Sequence, residues 1–165
     1  MIGYIEGRVL ARRERFAIVL TPGGVGYELE LPAPVAASLP AAGGQTALFV
    51  HTVVREDALE LFGFATLEDR ETFRVLISIS KLGPRTGLAI LSQFSTDELL
   101  HIVAAGDAEA LVRVPGIGKK SAQRIFIELS YKLEGRAPVA GPAAGTLLPG
   151  GVLGDVVAGL TNLGY

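Results

Sequence analysis

Residues 111–125, Leu-Val-Arg-Val-Pro-Gly-Ile-Gly-Lys-Lys-Ser-Ala-Gln-Arg-Ile, constrain this chain more than any other stretch. Gly116 and Gly118 bracket one apolar residue, Ile117, whose side chain can plug a core while the backbone turns. Glycine lacks a Cβ, so the turn can enter left-handed conformations and an anion can approach the backbone closely. From Lys119 onward, Ala122, Ile125, Phe126, Leu129 and Leu133 fall on one helical face. The first N–H groups of such a helix lack intrahelical partners and lie at the positive end of its dipole, which suits a phosphate. Lys119, Lys120 and Arg124 add positive charge there. A nucleotide-hydrolase phosphate loop is excluded, because Gly118-Lys119 is followed by Lys120 where that pattern needs Ser or Thr.

An apolar helix, a Gly-x-Gly turn and a basic-tipped helix make up the helix-hairpin-helix motif, which grips nucleic-acid backbone without reading bases. The bland alternative is a tight helix–helix turn used for packing or for binding protein. A second copy favours the first reading. Residues 76–90 read Leu-Ile-Ser-Ile-Ser-Lys-Leu-Gly-Pro-Arg-Thr-Gly-Leu-Ala-Ile, which sets Lys81 on Gly116, Leu82 on Ile117, Gly83 on Gly118, Arg85 on Lys120 and Gly87 on Ala122. Pro84 becomes the first helical residue, where a missing N–H does no harm. Lys81 departs from the expected glycine: either the turn avoids positive φ or Lys81 bears strain, and whether this copy grips phosphate as firmly stays open at this point. The candidate DNA contacts are therefore Lys81, Gly83, Arg85, Gly116, Gly118, Lys119, Lys120 and Arg124. Two such units about 35 residues apart form a pseudo-symmetric pair able to hold both strands of one duplex.

A net charge of −2 over 165 residues announces no global basic field, but its distribution is informative. Residues 70–136 hold ten Lys/Arg against seven Asp/Glu, whereas residues 1–64 hold five against seven. An acidic-leaning front and a basic-leaning middle suit a protein that binds DNA with one region and repels it with another. The absence of cysteine excludes disulfides and thiolate metal sites. With no signal peptide or membrane-length apolar run, the expected address is the cytoplasm. His51 in a strand and His101 in a capped helix have no carboxylates at metal-site spacing, so neither metal nor cofactor is expected.

Residues 1–64 read as five strands: 2–11, Phe16–Leu20, Val25–Leu31 with alternating apolar positions, Thr46–Val54 and Ala58–Phe64. Gly3 and Gly7 are expected to let the first strand bend. Five strands in so short a segment fit a small OB-fold barrel. Tyr4, Phe16, Tyr27, Phe49, Phe62 and Phe64 are too scattered for a stacking platform and are assigned to packing. Arg55-Glu56-Asp57 reads, taken alone, as a polar hairpin tip without a type I′ signature. Residues 65–135 read as all-helical. Thr66 and Asp69 open the first helix, Ser95-x-x-Glu98 is a capping box, and Asp107 caps a short helix at 108–113 leading into the second hairpin. Residues 136–151, rich in Ala, Gly and Pro, read as a flexible linker. Residues 152–165 read as the first helix of a further small helical domain, cut short.

Taken together the chain resembles the RuvA family, bacterial proteins that bind four-way (Holliday) junctions. The resemblance rests on Met1-Ile2-Gly3, Gly23-Gly24-Val25-Gly26-Tyr27, Val53-Val54-Arg55-Glu56-Asp57-Ala58 and Leu61-Phe62-Gly63-Phe64. Leu82-Gly83-Pro84, Pro115-Gly116-Ile117-Gly118-Lys119-Lys120 and Leu163-Gly164-Tyr165 continue it in order. It implies a homotetramer, or two facing tetramers, holding an open, planar junction on one face without catalysis of its own. It further implies two partners, the hexameric motor ATPase RuvB and the junction nuclease RuvC, in branch migration during recombination and repair. Glu56 and Asp57 become an acidic pin at the junction centre, and the C-terminal domain becomes the RuvB-binding element. Three rivals remain at this stage: a generic repair DNA binder without junction preference, a helix-hairpin-helix glycosylase or nuclease, and a single-strand binder built on the barrel.

Overall fold

The computed structural model describes residues 1–133. The expected linker at 136–151 and helix within 152–165 lie outside the described residues. Five strands, β1 (Tyr4–Arg12), β2 (Phe16–Leu20), β3 (Gly26–Glu30), β4 (Gln45–Val54) and β5 (Leu59–Phe64), close into a barrel in the order β1-β2-β3-β5-β4. All neighbours are antiparallel except β3 and β5, which meet in parallel where Glu30 faces Phe62. Ile5, Ala17, Val19, Leu29, Leu48 and Val50 alternate along their strands to fill the barrel interior. Leu29 and Leu31 point inward as their alternation predicts, but Val25 at the head of that run is half exposed.

Two details of the barrel differ from expectation. β1 bends at a register shift between Val9 and Ala11, not at its glycines. Gly7 is required for a different reason: a Cβ there would lie 2.3 Å from the Leu20 carbonyl oxygen, so the neighbouring strand excludes any side chain. The second detail is a short helix, α1 (Ala33–Ser38), between β3 and β4. Its Ala33 amide donates to Ser92 Oγ at 3.0 Å, tying the barrel to the helical part of the chain.

That part comprises α2 (Leu67–Ile77), α3 (Pro84–Gln93), α4 (Thr96–Ala105), a 3-10 helix (Ala108–Arg113) and α5 (Lys119–Leu133). The expected starts are all present. Thr66 Oγ1 accepts from the Asp69 amide, Ser95 and Glu98 form the reciprocal capping box, and Asp107 accepts from the Ala110 amide. Residues 108–113 wind as a 3-10 turn, the tighter form common in short connectors. Thr96 and Thr72, the two buried polar residues among those described, have their hydroxyl oxygens 3.2 Å apart, and Thr96 donates to Asp69 at 2.9 Å.

Barrel and helices share a seam. Phe62 and Phe64, on β5, belong to the helical core, where both rings pack on Phe73 of α2 at centroid distances of 5.1 and 4.9 Å. They are packing residues, as expected. Tyr4 and Phe49 instead pair edge-to-face at 5.5 Å, with Tyr4 half exposed. His51 stands edge-on to Phe73 at 5.8 Å, its buried Nδ1 without a hydrogen-bond partner. Burial, then the nearby Arg74 and Arg70 guanidiniums, lower its pKa from the ordinary 6.5, against a smaller opposing pull from Glu71. The neutral form is thus favoured in the folded state, and below pH 6.5 the unfolded chain binds the extra proton first. The stabilisation is complete above that pH and is lost as pH falls through the folded-state value. The unfolding midpoint is expected to drop as pH falls below 6.5, and His51→Gln to flatten that drop; equal pH dependence in both chains would refute the assignment.

Candidate nucleic-acid interface

The two hairpins are the same structure built twice. In the first, the Ile79 amide donates to Leu76 O, Leu82 to Ile79 O and Gly87 to Gly83 O, at 3.0, 3.1 and 3.0 Å. Thirty-five residues later, Val114 donates to Leu111 O, Ile117 to Val114 O and Ala122 to Gly118 O, at 3.2, 3.0 and 2.9 Å. The plugs Leu82 and Ile117 are buried to the same degree, as are the flanking pairs Leu76 and Leu111, and Ile79 and Val114. Burial of an apolar plug under each turn, worth about 2 kcal/mol, fixes the loop between the two helices it joins.

The Lys81 alternatives resolve in favour of strain. Gly116 has φ 87, and Lys81 at the matching position has φ 58, the one positive value at a non-glycine among the described residues. The left-handed turn is therefore kept in both copies, in the first without glycine. Lys81→Gly is expected to raise stability by up to about 1 kcal/mol, read as an increase in denaturation midpoint at constant m-value; a loss would mean the lysine side chain makes a compensating contact.

Gly83 and Gly118 present a different case. Neither lies in the left-handed region, and a Cβ at either would meet nothing within 4 Å. The fold itself does not demand glycine there. An open backbone at the start of α3 and of α5 leaves room for something to approach from outside, and Gly83 caps α3 with no side-chain hydrogen bond. Of the candidate contacts, Lys81, Gly83, Arg85, Gly116, Gly118, Lys119 and Lys120 are all exposed. Arg124 is half-buried on α5, with Nε lacking a partner within the described residues. Lys119 Nζ stands 3.4 Å from Glu109 Oε1 with both side chains largely in solvent, an ion pair too weak to hold the lysine against a phosphate. The sequence offered no hint of Glu109, since that contact depends on how the 3-10 helix folds over α5.

The acidic tip is equally plain. The Arg55 amide donates to Ala58 O at 2.8 Å, closing a two-residue turn whose corners are Glu56 and Asp57. Neither corner has positive φ, so the turn is not type I′, as the sequence predicts. Arg55 pairs with Glu60 at 3.3 Å, leaving the two exposed carboxylates without a counter-cation among the described residues. Directly below the tip, Val54 and Leu59 face each other across the ladder and are 72% and 61% exposed, an apolar collar that sequence reading missed. Val53, one residue further down, packs against the helical core, so the base of the tip is anchored beside the hairpin units.

Among the described residues, no group of three His, Asp or Glu side chains could hold a metal ion, and no helix is long and apolar enough to cross a membrane. A closed OB-type barrel joined to tandem helix-hairpin-helix units defines the structural class. The RuvA N-terminal domain model matches residues 1–63, and the SAM-like helix-hairpin-helix tandem model matches residues 73–130. The Holliday junction branch migration complex subunit RuvA of Solidesulfovibrio magneticus is 83% identical over 165 residues, spanning all of this chain and 82% of that relative. Subunits of the same name from Nitratidesulfovibrio vulgaris Miyazaki F and Methylibium petroleiphilum are 57% and 46% identical, each over the whole chain and over 82% and 84% of their own length. The chain belongs to the RuvA family.

Proposed function

We propose that this chain binds four-way DNA junctions irrespective of sequence, as a cytoplasmic, non-catalytic homotetramer. It holds the junction open and planar for branch migration by the RuvB motor, with the RuvC nuclease as a further partner. The observation that carries the reading is the pair of hairpins with matching hydrogen bonds and open glycine backbones, one at the start of α3 and one at the start of α5. Lys81, Arg85, Lys119, Lys120 and Arg124 supply charge to phosphates that the backbone at Gly83, Gly116 and Gly118 can approach. Contacts of this kind carry no base information, which a junction that slides through any sequence requires. Glu56 and Asp57 act as the repulsive centre. The working division is a barrel with its acidic tip at 1–64, the DNA-binding helices at 65–135, a linker at 136–151 and the start of a RuvB-binding domain at 152–165.

The test is affinity for a synthetic four-way junction, a duplex of matching arm sequence and a single strand, with sedimentation equilibrium for the mass. The expected result is a tetramer that prefers the junction over both other substrates. Equal affinity for junction and duplex reduces the protein to a generic DNA binder, and preference for the single strand moves the site to the barrel.

A further inference from the structure

The two hairpins reach one shape by different means. The second has Pro115, which has no N–H to satisfy, followed by Gly116, which enters the left-handed region without strain. The first has Ser80 and Lys81 at those positions, an exposed amide free to donate and a non-glycine at φ 58. The acceptor comes from 48 residues away: the Ser80 amide donates to Glu128 Oε2 at 3.0 Å. Glu128 lies on α5, the helix whose first residues form the second hairpin, and it is half-buried. Its counterpart one repeat earlier is Gln93, and no reciprocal bond can form, because Pro115 has nothing to donate.

We propose that Glu128 is a positioning residue for the first hairpin. Its carboxylate holds the Ser80–Lys81 turn in the left-handed form and ties that turn to α5, so the two phosphate-gripping loops are set relative to each other. This inference rests on the reading that both hairpins bind phosphate. A carboxylate beside an anion-binding loop is electrostatically adverse, so it contributes as an acceptor, not through charge toward DNA. Without it the exposed Ser80 N–H is left to water, which does not tie the loop to α5, so Lys81 can relax toward negative φ and Gly83 leaves the geometry that matches Gly118.

The experiment compares the full chain with Glu128→Ala, Glu128→Gln and Glu128→Ala combined with Ser80→Pro. Exchange of the Ser80 amide, followed by NMR, is expected to accelerate about tenfold or more in Glu128→Ala, as expected on losing a charge-assisted hydrogen bond. Affinity for a synthetic four-way junction should fall about tenfold in the same variant, equally for any arm sequence. Glu128→Gln keeps an acceptor oxygen and removes the adverse charge, so its affinity should equal or exceed that of the parent. Proline at position 80 copies the solution of the second hairpin and should recover most of the lost affinity. A merely structural role would lower affinity and unfolding midpoint together, and proline would not restore either. Unchanged Ser80 exchange and affinity in Glu128→Ala, or no recovery by glutamine and proline, overturns the inference. If the parent chain binds neither junction nor duplex, the phosphate reading of the hairpins falls, while Ser80 exchange still decides the Glu128 contact.

Discussion

Gly118→Val is expected to weaken junction binding a hundredfold or more while lowering stability by no more than about 1 kcal/mol, the usual penalty for a poor residue at a helix start. The asymmetry follows from the local geometry. A side chain at position 118 meets no protein atom within 4 Å and needs no unusual backbone, so the fold hardly registers it. It does occupy the space through which a phosphate must approach. Each charge-assisted hydrogen bond lost there is worth about 1.5–3 kcal/mol, and a tetramer loses it four times. Gly116→Val is the contrasting control. At φ 87 a β-branched residue is strained by about 1–2 kcal/mol or more, so stability and binding should fall together. Fluorescence-detected binding and chemical denaturation on both variants separate the two glycines. Intact binding by Gly118→Val would mean that the open face of the second hairpin is not where DNA lies.

Neutralising the tip should produce the opposite sign. Glu56→Gln with Asp57→Asn removes two carboxylates per chain that have no counter-cation among the described residues, the neighbouring Arg55 being paired with Glu60. In a tetramer that presents four tips to converging phosphates, affinity for DNA should rise, and more for linear duplex than for the junction. Repulsion between like charges at such a centre is worth about 1 kcal/mol per pair in exposed surroundings, so tenfold or larger gains on duplex are expected. The gain should shrink as salt rises from about 0.05 to 0.5 M, because the Debye length contracts from about 14 to about 4 Å. Unfolding should not change, because both residues are exposed turn corners. Equal gains on junction and duplex, or none, would return the tip to an ordinary polar hairpin.

What the sequence could and could not disclose follows from how far apart the interacting residues lie. Local rules carried the caps at Thr66, Ser95 and Asp107, the five strands and the repeat offset, because each depends on residues within a few positions of one another. The repeat offset also placed Lys81 on Gly116, which posed the question of its backbone without answering it. α1 went unread: six residues containing a proline, with no charged residue to mark either end, lack a helical signature of their own. Gly7 was read as a hinge because the Leu20 carbonyl is brought against it only by the register in which β2 pairs with β1. For the interface, every candidate cation and glycine was named from the two motifs. The carboxylates that meet those hairpins, Glu109 and Glu128, were not, because tertiary packing alone brings them there.

Phe73 has a consequence for how this molecule can be taken apart. The barrel's last strand spends Phe62 and Phe64 on the helical core, and one aromatic ring of α2 receives both. A barrel severed after Phe64 would offer two large rings to water, and the helices left behind would have a hole where those rings had been. Modular as the chain looks in sequence, neither half is an independent cassette. A graft of these hairpins onto another barrel would have to bring a matching aromatic pair with it, and the acidic tip, at the turn that leads into the same strand, would inherit its aim from that pair.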